Sequence, residues 1–191
     1  SWNMGGSGNY IVGNANSPNP IFEYDTCGIY TVILTITDAN GCSDSDTITT
    51  TVNCNPIISF TTYPNTQLCN SDTICFTAIG SIHPITNTPV VLWLWDFGDI
   101  NSGANNYSAD PNPCHIFSSN GTYVVTLTAV DNIGCSSVYT DTIFINELPN
   151  VDFLIVPGTW CENDNAWFND LSVSTNASII SWLWNITGGD Y

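Results

Sequence analysis

The chain has 191 residues, of which 17 are acidic and none is lysine or arginine, whereas ordinary globular chains are about a quarter charged, with both signs present. That balance excludes nucleic acid, which needs cations for its phosphates, makes an anionic membrane surface a poor partner, and forbids arginine clamps and lysine–asparagine isopeptide crosslinks. Hydrophobic residues make up 43% of the chain and mean hydropathy is +0.08, so a core can be buried and no apolar run reaches the length of a membrane span.

The chain opens on Ser1 without a leader pattern, so its natural start is expected upstream. Trp2-Asn3-Met4-Gly5-Gly6 is a shortened copy of a motif met again at Trp95 and Trp184. Asn9 to Pro20 is polar loop. From Gly28 to Asp38, Tyr30, Val32, Leu34 and Ile36 share one face and threonines dominate the other, which predicts a half-buried strand. Ala39-Asn40-Gly41 is a hairpin turn, and Cys42 to Val52 returns as a threonine-rich strand.

Asn55-Pro56 opens a second unit, with strands at Ile57 to Thr62 and Ile74 to Ala78 and a turn at Pro64-Asn65. A loop through Pro84 and Pro89 leads to Val90–Asp96, where Trp93 and Trp95 share one face and Leu92 and Leu94 the other. That pattern predicts a strand with apolar neighbours on both sides, and burial of at least one tryptophan in each of the pairs Trp93/Trp95 and Trp182/Trp184. Gly98 then permits an unusual dihedral, and Asp96 and Asp99 flank it as turn caps. Ile100 to Asn112 is a long polar loop. Tyr123, Val125, Leu127 and Ala129 next occupy the places of Tyr30, Val32, Leu34 and Ile36, and Asn132-Ile133-Gly134-Cys135 repeats the earlier turn. Asp141 to Ile145 is the return strand. Leu148-Pro149-Asn150 opens a third unit, in which Cys161 matches Cys69 and Phe168 matches Phe76.

Trp2, Trp95 and Trp184 mark a period of about ninety residues. Seven or so short strands per period, with no helical periodicity, predict an all-β fold of immunoglobulin-like sandwiches. The expected units are 1–54, the C-terminal part of a first repeat; 55–147, a complete repeat; and 148–191, the N-terminal part of a third. Short proline-stiffened linkers at Cys54-Asn55-Pro56 and Glu147-Leu148-Pro149 predict a rod-like tandem array. Eight cysteines without a C-x-x-C pair point to disulfides and an oxidising compartment. Buried free thiols are the alternative, above all for Cys75.

Three stretches carry a family resemblance: Trp95-Asp96-Phe97-Gly98-Asp99, Asn112-Pro113-Cys114-His115-Ile116-Phe117, and Gly121-Thr122-Tyr123-Val124-Val125-Thr126-Leu127. The chain resembles PKD (polycystic kidney disease) domain repeats, as found in large secreted surface adhesins of gliding bacteria. The flanking units depart from the pattern: Asn3 and Asn185 replace the first aspartate, and Phe22 stands where His115 does. The resemblance implies a spacer, or a module for contacts with protein and carbohydrate, and does not imply catalysis.

Asp96 and Asp99, with Asp110, are the candidate calcium ligands, calcium being the one cofactor considered; no calcium-loop spacing is present, and turn capping is the competing role. Catalysis would require a partner group of tuned pKa in a cleft, and none is evident. His115 is expected to pack structurally. His83, beside Pro84, is isolated, and two isolated histidines make no metal site. From the sandwich topology, Cys54 is expected to pair with Cys135 and Cys69 with Cys114; Cys27 and Cys42 then look to partners upstream and Cys161 to one downstream. A bridge between units is the rival arrangement. Thr47, Thr73 and Thr142, each in Asp-Thr-Ile, resemble O-glycan acceptors. Asn106, Asn120, Asn176 and Asn185 begin Asn-x-Ser/Thr sequons.

The expected function is a structural segment of an extracellular, cell-surface fibre or adhesin stalk, and not an enzyme. Its expected partners are neighbouring repeats, other copies in a filament, and a surface carbohydrate or protein ligand. The alternative is a carbohydrate- or protein-binding accessory module of a large secreted enzyme, favoured by an exposed row of tryptophans.

Overall fold

The computed structural model describes residues 1–66, 68–81, 89–156, 158–161 and 164–187. His83 lies outside them. In chain order the strands are β1 (Trp2–Asn3), β2 (Gly8–Val12), β3 (Ile21–Tyr24), β4 (Gly28–Thr37), β5 (Ser43–Val52), β6 (Ile57–Tyr63), β7 (Ile74–Ser81) and β8 (Val90–Asp96). They continue as β9 (Tyr107–Ser108), β10 (Cys114–His115), β11 (Gly121–Asp131), β12 (Ser136–Ile145), β13 (Phe153–Ile155) and β14 (Phe168–Asp170). The expected polar loop after Asp99 holds a short 3-10 segment, Ile100–Asn106, broken at Gly103. The architecture is all-β, with sheets ordered β1-β4-β5, β2-β3, β10-β7-β6, β12-β11-β8-β9 and β13-β14.

The chain divides into two compact units. The first comprises Ser1–Phe60, Ala78–Leu94 and Leu127–Tyr139. Alternating apolar residues and threonines suit a pleated, half-buried surface, and β4 and β5 pair along their whole length, from Gly28↔Val52 to Thr37↔Ser43. Tyr30, Val32 and Leu34 are half-buried on this ribbon and Ile36 is exposed. Trp2 pairs with Leu34, and its Nε1 donates to the Ser17 carbonyl at 2.9 Å. Tyr10, Phe22, Tyr24 and Tyr30 form a chain of ring contacts. In the same unit Ile58, Phe60, Leu127 and Ala129 are buried, with Phe60 edge-on to Tyr139 at 5.3 Å.

The second unit comprises Thr61–Thr77, Trp95–Thr126 and Thr140–Tyr191. Phe76, Trp95 and Phe97 pack with ring centroids 5.1 to 6.1 Å apart, and Ile74, Val125 and Ile145 are buried with them. Trp95 thus enters the core, while Leu92 and Leu94 on the other face of β8 are exposed. The expectation of apolar cover on both faces is corrected: β8 buries one side only. In the C-terminal segment β13 pairs with β14, Phe153 opposite Asp170. Trp182 and Trp184 are both exposed there, against the expected burial of one of the pair. Residues 148–187 contain two strands and the tryptophan segment, too few elements to enclose them.

Positions 93 apart do the same local work. Trp95 Nε1 donates to the Asp110 carbonyl at 2.8 Å, as Trp2 does to Ser17. Tyr30 and Tyr123 each donate a phenolic hydroxyl to the carbonyl four residues earlier, at Thr26 and Ser119. Asp38 Oδ1 accepts the amides of Asn40 and Cys42, and Asp131 Oδ1 those of Ile133 and Cys135. In the third segment the Cys161 amide donates to Asp164, as that of Cys69 does to Asp72. Phe168 meets Trp184 at 5.6 Å and 50°, as Phe76 meets Trp95 at 5.4 Å and 55°.

The disulfides differ from those expected. Cys54 is bonded to Cys27 and not to Cys135, and Cys114 to Cys75 and not to Cys69. The strand register supplies the reason. Gly28 pairs with Val52, which brings the flanking Cys27 and Cys54 together with Cα atoms 4.9 Å apart. Cys75 and Cys114 stand opposite one another on β7 and β10. Cys27 therefore needs no upstream partner, and Cys75 is no buried thiol. Cys42, Cys135 and Cys161 are free thiols.

Candidate functional site

The turn after β8 gathers the polar residues that sequence analysis singles out. Gly98 has φ 70°, and a Cβ there would lie 2.6 Å from the Val124 carbonyl oxygen, so the close approach of the two backbones requires glycine. This turn carries Asp99 into the interior. Asp96 stays at the rim, where its Oδ1 accepts the Gly98 amide and the Asn106 side-chain amide, each at 2.9 Å. Asn106 Oδ1 in turn accepts the Asp99 amide at 2.6 Å.

Asp99, His115 and Asn106 are all buried. The Asp99 carboxylate accepts from His115 Nε2 at 3.0 Å and from the Ser118 amide at 2.8 Å, and its other oxygen accepts the Ser118 hydroxyl. The histidine ring stacks on Phe97 at 4.4 Å and 11° and meets Phe117 edge-on at 4.7 Å. Burial alone would raise the Asp99 carboxyl, but the Ser118 hydroxyl and amide and His115 outweigh it and hold the group below the ordinary carboxylate range.

Aspartate, histidine and serine are the residue types of a hydrolytic triad, but here they are wired differently. In a triad histidine lies between the other two and takes the serine proton. Here the carboxylate lies in the middle and the Ser118 hydroxyl donates straight to it, so the histidine is not placed to take the serine proton. A buried carboxylate that ties the turn after β8 to the His115–Ser118 segment is a structural lock.

Calcium fares no better. Asp110 Oδ1 accepts the Asn112 amide at 2.8 Å, in its own turn. Asp96, Asp99 and Asp110 each accept hydrogen bonds from nearby side chains or backbone amides, and among the described residues no three His, Cys, Asp or Glu side chains gather as a metal ion would require. In this geometry Asp96, Asp99 and Asp110 serve as turn caps and local acceptors. Sequence analysis marked Asn106 only as the start of a sequon, whereas its side chain is buried against Asp96 and the Asp99 amide, and it missed Ser118. Both are small polar residues in loops, with no periodicity to mark them.

In the first unit the positions of Asp99, His115 and Ser118 hold Gly6, Phe22 and Asp25, so the lock is absent and aromatic contacts replace it. Thr47, Thr73 and Thr142 are exposed. Cys135 is half-buried, and its burial, then the Asp131 charge, push the thiol up, away from the reactive thiolate.

A second feature lies in the C-terminal segment. A cleft of about 350 Å³ is lined by Val151, Phe153, Trp182 and Trp184, among others, with Asp152 and Asp170 beside them. Trp182 Nε1 donates to Asp170 Oδ2 at 2.7 Å. The Ser172 hydroxyl and amide, with that indole, hold the Asp170 carboxyl below its usual range.

Among the described residues no helix is long and apolar enough to cross a membrane. Among solved structures, the chain is similar to the PKD1 domain of Vibrio anguillarum Epp, at 22% identity and TM-score 0.39, over 49% of this chain and 96% of that one. It is also similar to the PKD1 domain of the Vibrio cholerae metalloprotease PrtV, at 24% identity and TM-score 0.38, over 48% and 98%. A third likeness, to carbohydrate-binding modules of the β-sandwich superfamily, has 21% identity and TM-score 0.40 over 61% of this chain and 53% of that one. The family model described as the PKD domain matches residues 53–145. That span holds the complete Asp99–His115–Ser118 lock and matches the PKD domain family, its strands β7 and β10 joined by the Cys75–Cys114 disulfide.

Proposed function

We propose that the chain is a non-catalytic segment of tandem PKD-like sandwiches in an extracellular fibre or adhesin stalk, where it spaces and presents other parts of a surface protein. One observation carries the reading. The Trp2–Ser17 and Trp95–Asp110 hydrogen bonds recur with a spacing of 93 residues, and so do the tyrosine and aspartate turns around them. Repetition of whole local geometries is what a repeat array requires. The saturated Asp99 lock supports a structural role, and the two disulfides support an oxidising, extracellular setting. The exposed Asp-Thr-Ile threonines suit O-glycan attachment. In two of them the aspartate Oδ1 accepts the amide of its own threonine, at 2.8 and 2.7 Å.

The test is peptide mapping of protein purified from its native source, with and without reduction and deglycosylation. The expected result is secreted material carrying both disulfides and hexose on Thr47, Thr73 and Thr142. Cytosolic material with reduced cysteines and bare threonines would sink the proposal. The exposed indoles of Trp160, Trp167 and Trp182 favour the second reading, a carbohydrate-binding accessory module. Retention of the chain on insoluble polysaccharide, lost on substituting those tryptophans, would select it.

A further inference from the structure

His115 has two ring nitrogens, and the lock uses one of them. Nε2 lies 3.0 Å from Asp99 Oδ2. Asp99 can only accept there as a carboxylate, so Nε2 carries the proton. In the neutral ring Nδ1 is then a hydrogen-bond acceptor. Among the described residues nothing donates to it, although the histidine is only 4% exposed. Stacking on Phe97 and the edge of Phe117 fix the ring in place. The ring borders a cleft of about 320 Å³ where the 3-10 segment, β9 and β10 meet, lined also by Phe97, Asn105, Tyr107, Ser108 and Ile116. All of these residues lie within the span that matches the PKD domain.

The other polar groups of the cleft are neutral. Asn105 is exposed, and among the described residues its side chain makes no hydrogen bond. The Ser108 hydroxyl accepts the Asp110 amide and keeps its own proton to donate. The Tyr107 ring, 62% exposed, adds a flat apolar face with a polar tip. A fixed acceptor, two neutral hydrogen-bonding side chains and a flat ring complement the hydroxyls and C–H face of a sugar. We propose that this cleft is a saccharide subsite, in which His115 Nδ1 accepts a hydroxyl proton, Asn105 and Ser108 bind neighbouring hydroxyls, and Tyr107 carries the C–H face. Its volume falls at the lower end of ligand pockets, about 300–1,000 Å³, which suits a single sugar ring. Charge rules against an anion. The chain has no lysine or arginine, while Asp96 pairs with Tyr107 across the sheet and Asp99 bonds His115. The lock thus has a second use: it holds a buried nitrogen ready, so that binding costs no reorientation of the ring. The subsite is separate from the exposed tryptophans, and the stalk reading does not depend on it.

The experiment is a titration of the isotope-labelled 191-residue chain with the methyl glycosides of glucose, galactose, mannose and N-acetylglucosamine. It is read from proton–nitrogen correlation spectra of the imidazoles. The chain has two histidines, and His83→Gln assigns the His115 signals. The expected result is an unprotonated Nδ1 in the free protein, shifted saturably by at least one glycoside. The dissociation constant should be on the order of 1–10 mM, as a single ring with few contacts gives. Tyr107→Ala should weaken that binding about tenfold, and Asn105→Ala should weaken it as well. Both side chains are exposed, so the fold is kept, which unchanged His115 signals in the free variants check. Replacing Trp160, Trp167 and Trp182 by alanine should leave the His115 shift as it is. The proposal is overturned if no glycoside moves the Nδ1 signal, or if the shift survives Tyr107→Ala undiminished. A free protein with Nδ1 protonated, or a shift given by acetate or inorganic phosphate instead of the glycosides, also overturns it. So does a shift lost with the tryptophans, which would place the sugar there. None of these outcomes touches the repeat reading, which peptide mapping tests separately.

Discussion

Asp99 accepts three hydrogen bonds in a buried setting, and that saturation fixes what can be done to it. Replacing it by alanine strands the His115 Nε2, the Ser118 amide and the Ser118 hydroxyl. Stranded buried donors cost about 1–3 kcal/mol each, so Asp99→Ala should destabilise the PKD domain by about 3 kcal/mol or more, read from urea unfolding. The pH dependence has a definite sign. The folded-state carboxyl lies below its ordinary value of 3.8, so its stabilisation is complete above that value and is lost as pH falls through the folded pKa. The stability difference between wild type and Asp99→Asn should therefore be constant near neutrality and shrink on acidification below about pH 4. A difference independent of pH down to acid unfolding would show that the carboxylate charge contributes nothing. The capping role of Asp96 and Asp99 was legible because Gly98 sits between them. Their partners were not: Asn106 and Ser118 lie 7 and 19 positions from Asp99, brought in by chain folding alone.

Among the strands, the alternating patterns of β4 and β11 were legible because one face is apolar and the other threonine-rich. The β8 pattern misled because leucines alternate with tryptophans, and a side chain's hydrophobicity does not say whether a second layer covers it. The disulfides misled for a related reason: topology places cysteines at an end of a sandwich, whereas bonding depends on register to within a residue. Non-reducing peptide mapping should recover Cys27–Cys54 and Cys75–Cys114, and recovery of Cys54–Cys135 or Cys69–Cys114 would refute the register. The Cys75–Cys114 bridge joins residues 39 apart, and closing a loop of that length in the unfolded chain is worth about 3–4 kcal/mol. The Cys75→Ala, Cys114→Ala double variant should lose about that much, read from the urea midpoint. A loss below about 1 kcal/mol would mean that the unfolded chain already holds β7 and β10 together.

At the scale of the whole chain, 17 acidic residues face no lysine or arginine, so formal charges on the surface repel in every pairing. Several carboxylates accept local hydrogen bonds from backbone amides, as at Asp38, Asp99 and Asp131, and these local bonds survive salt because they are short. The long-range repulsion does not survive it, since screening acts over about 10 Å at 0.1 M salt. Stability should therefore rise with sodium chloride, by about 1–2 kcal/mol between low and moderate ionic strength, a gain of several degrees in Tm. Composition alone makes this legible, because it depends on net charge and not on where the charges fall. Calcium chloride at matched ionic strength discriminates further. Asp96, Asp99 and Asp110 do not converge, so calcium should add only the small increment expected of any divalent ion, equal to that from magnesium and without saturation. A saturable calcium-specific rise in Tm, abolished by Asp110→Asn, would mean that these carboxylates rearrange around an ion, and the turn-cap account of the site would fall with it.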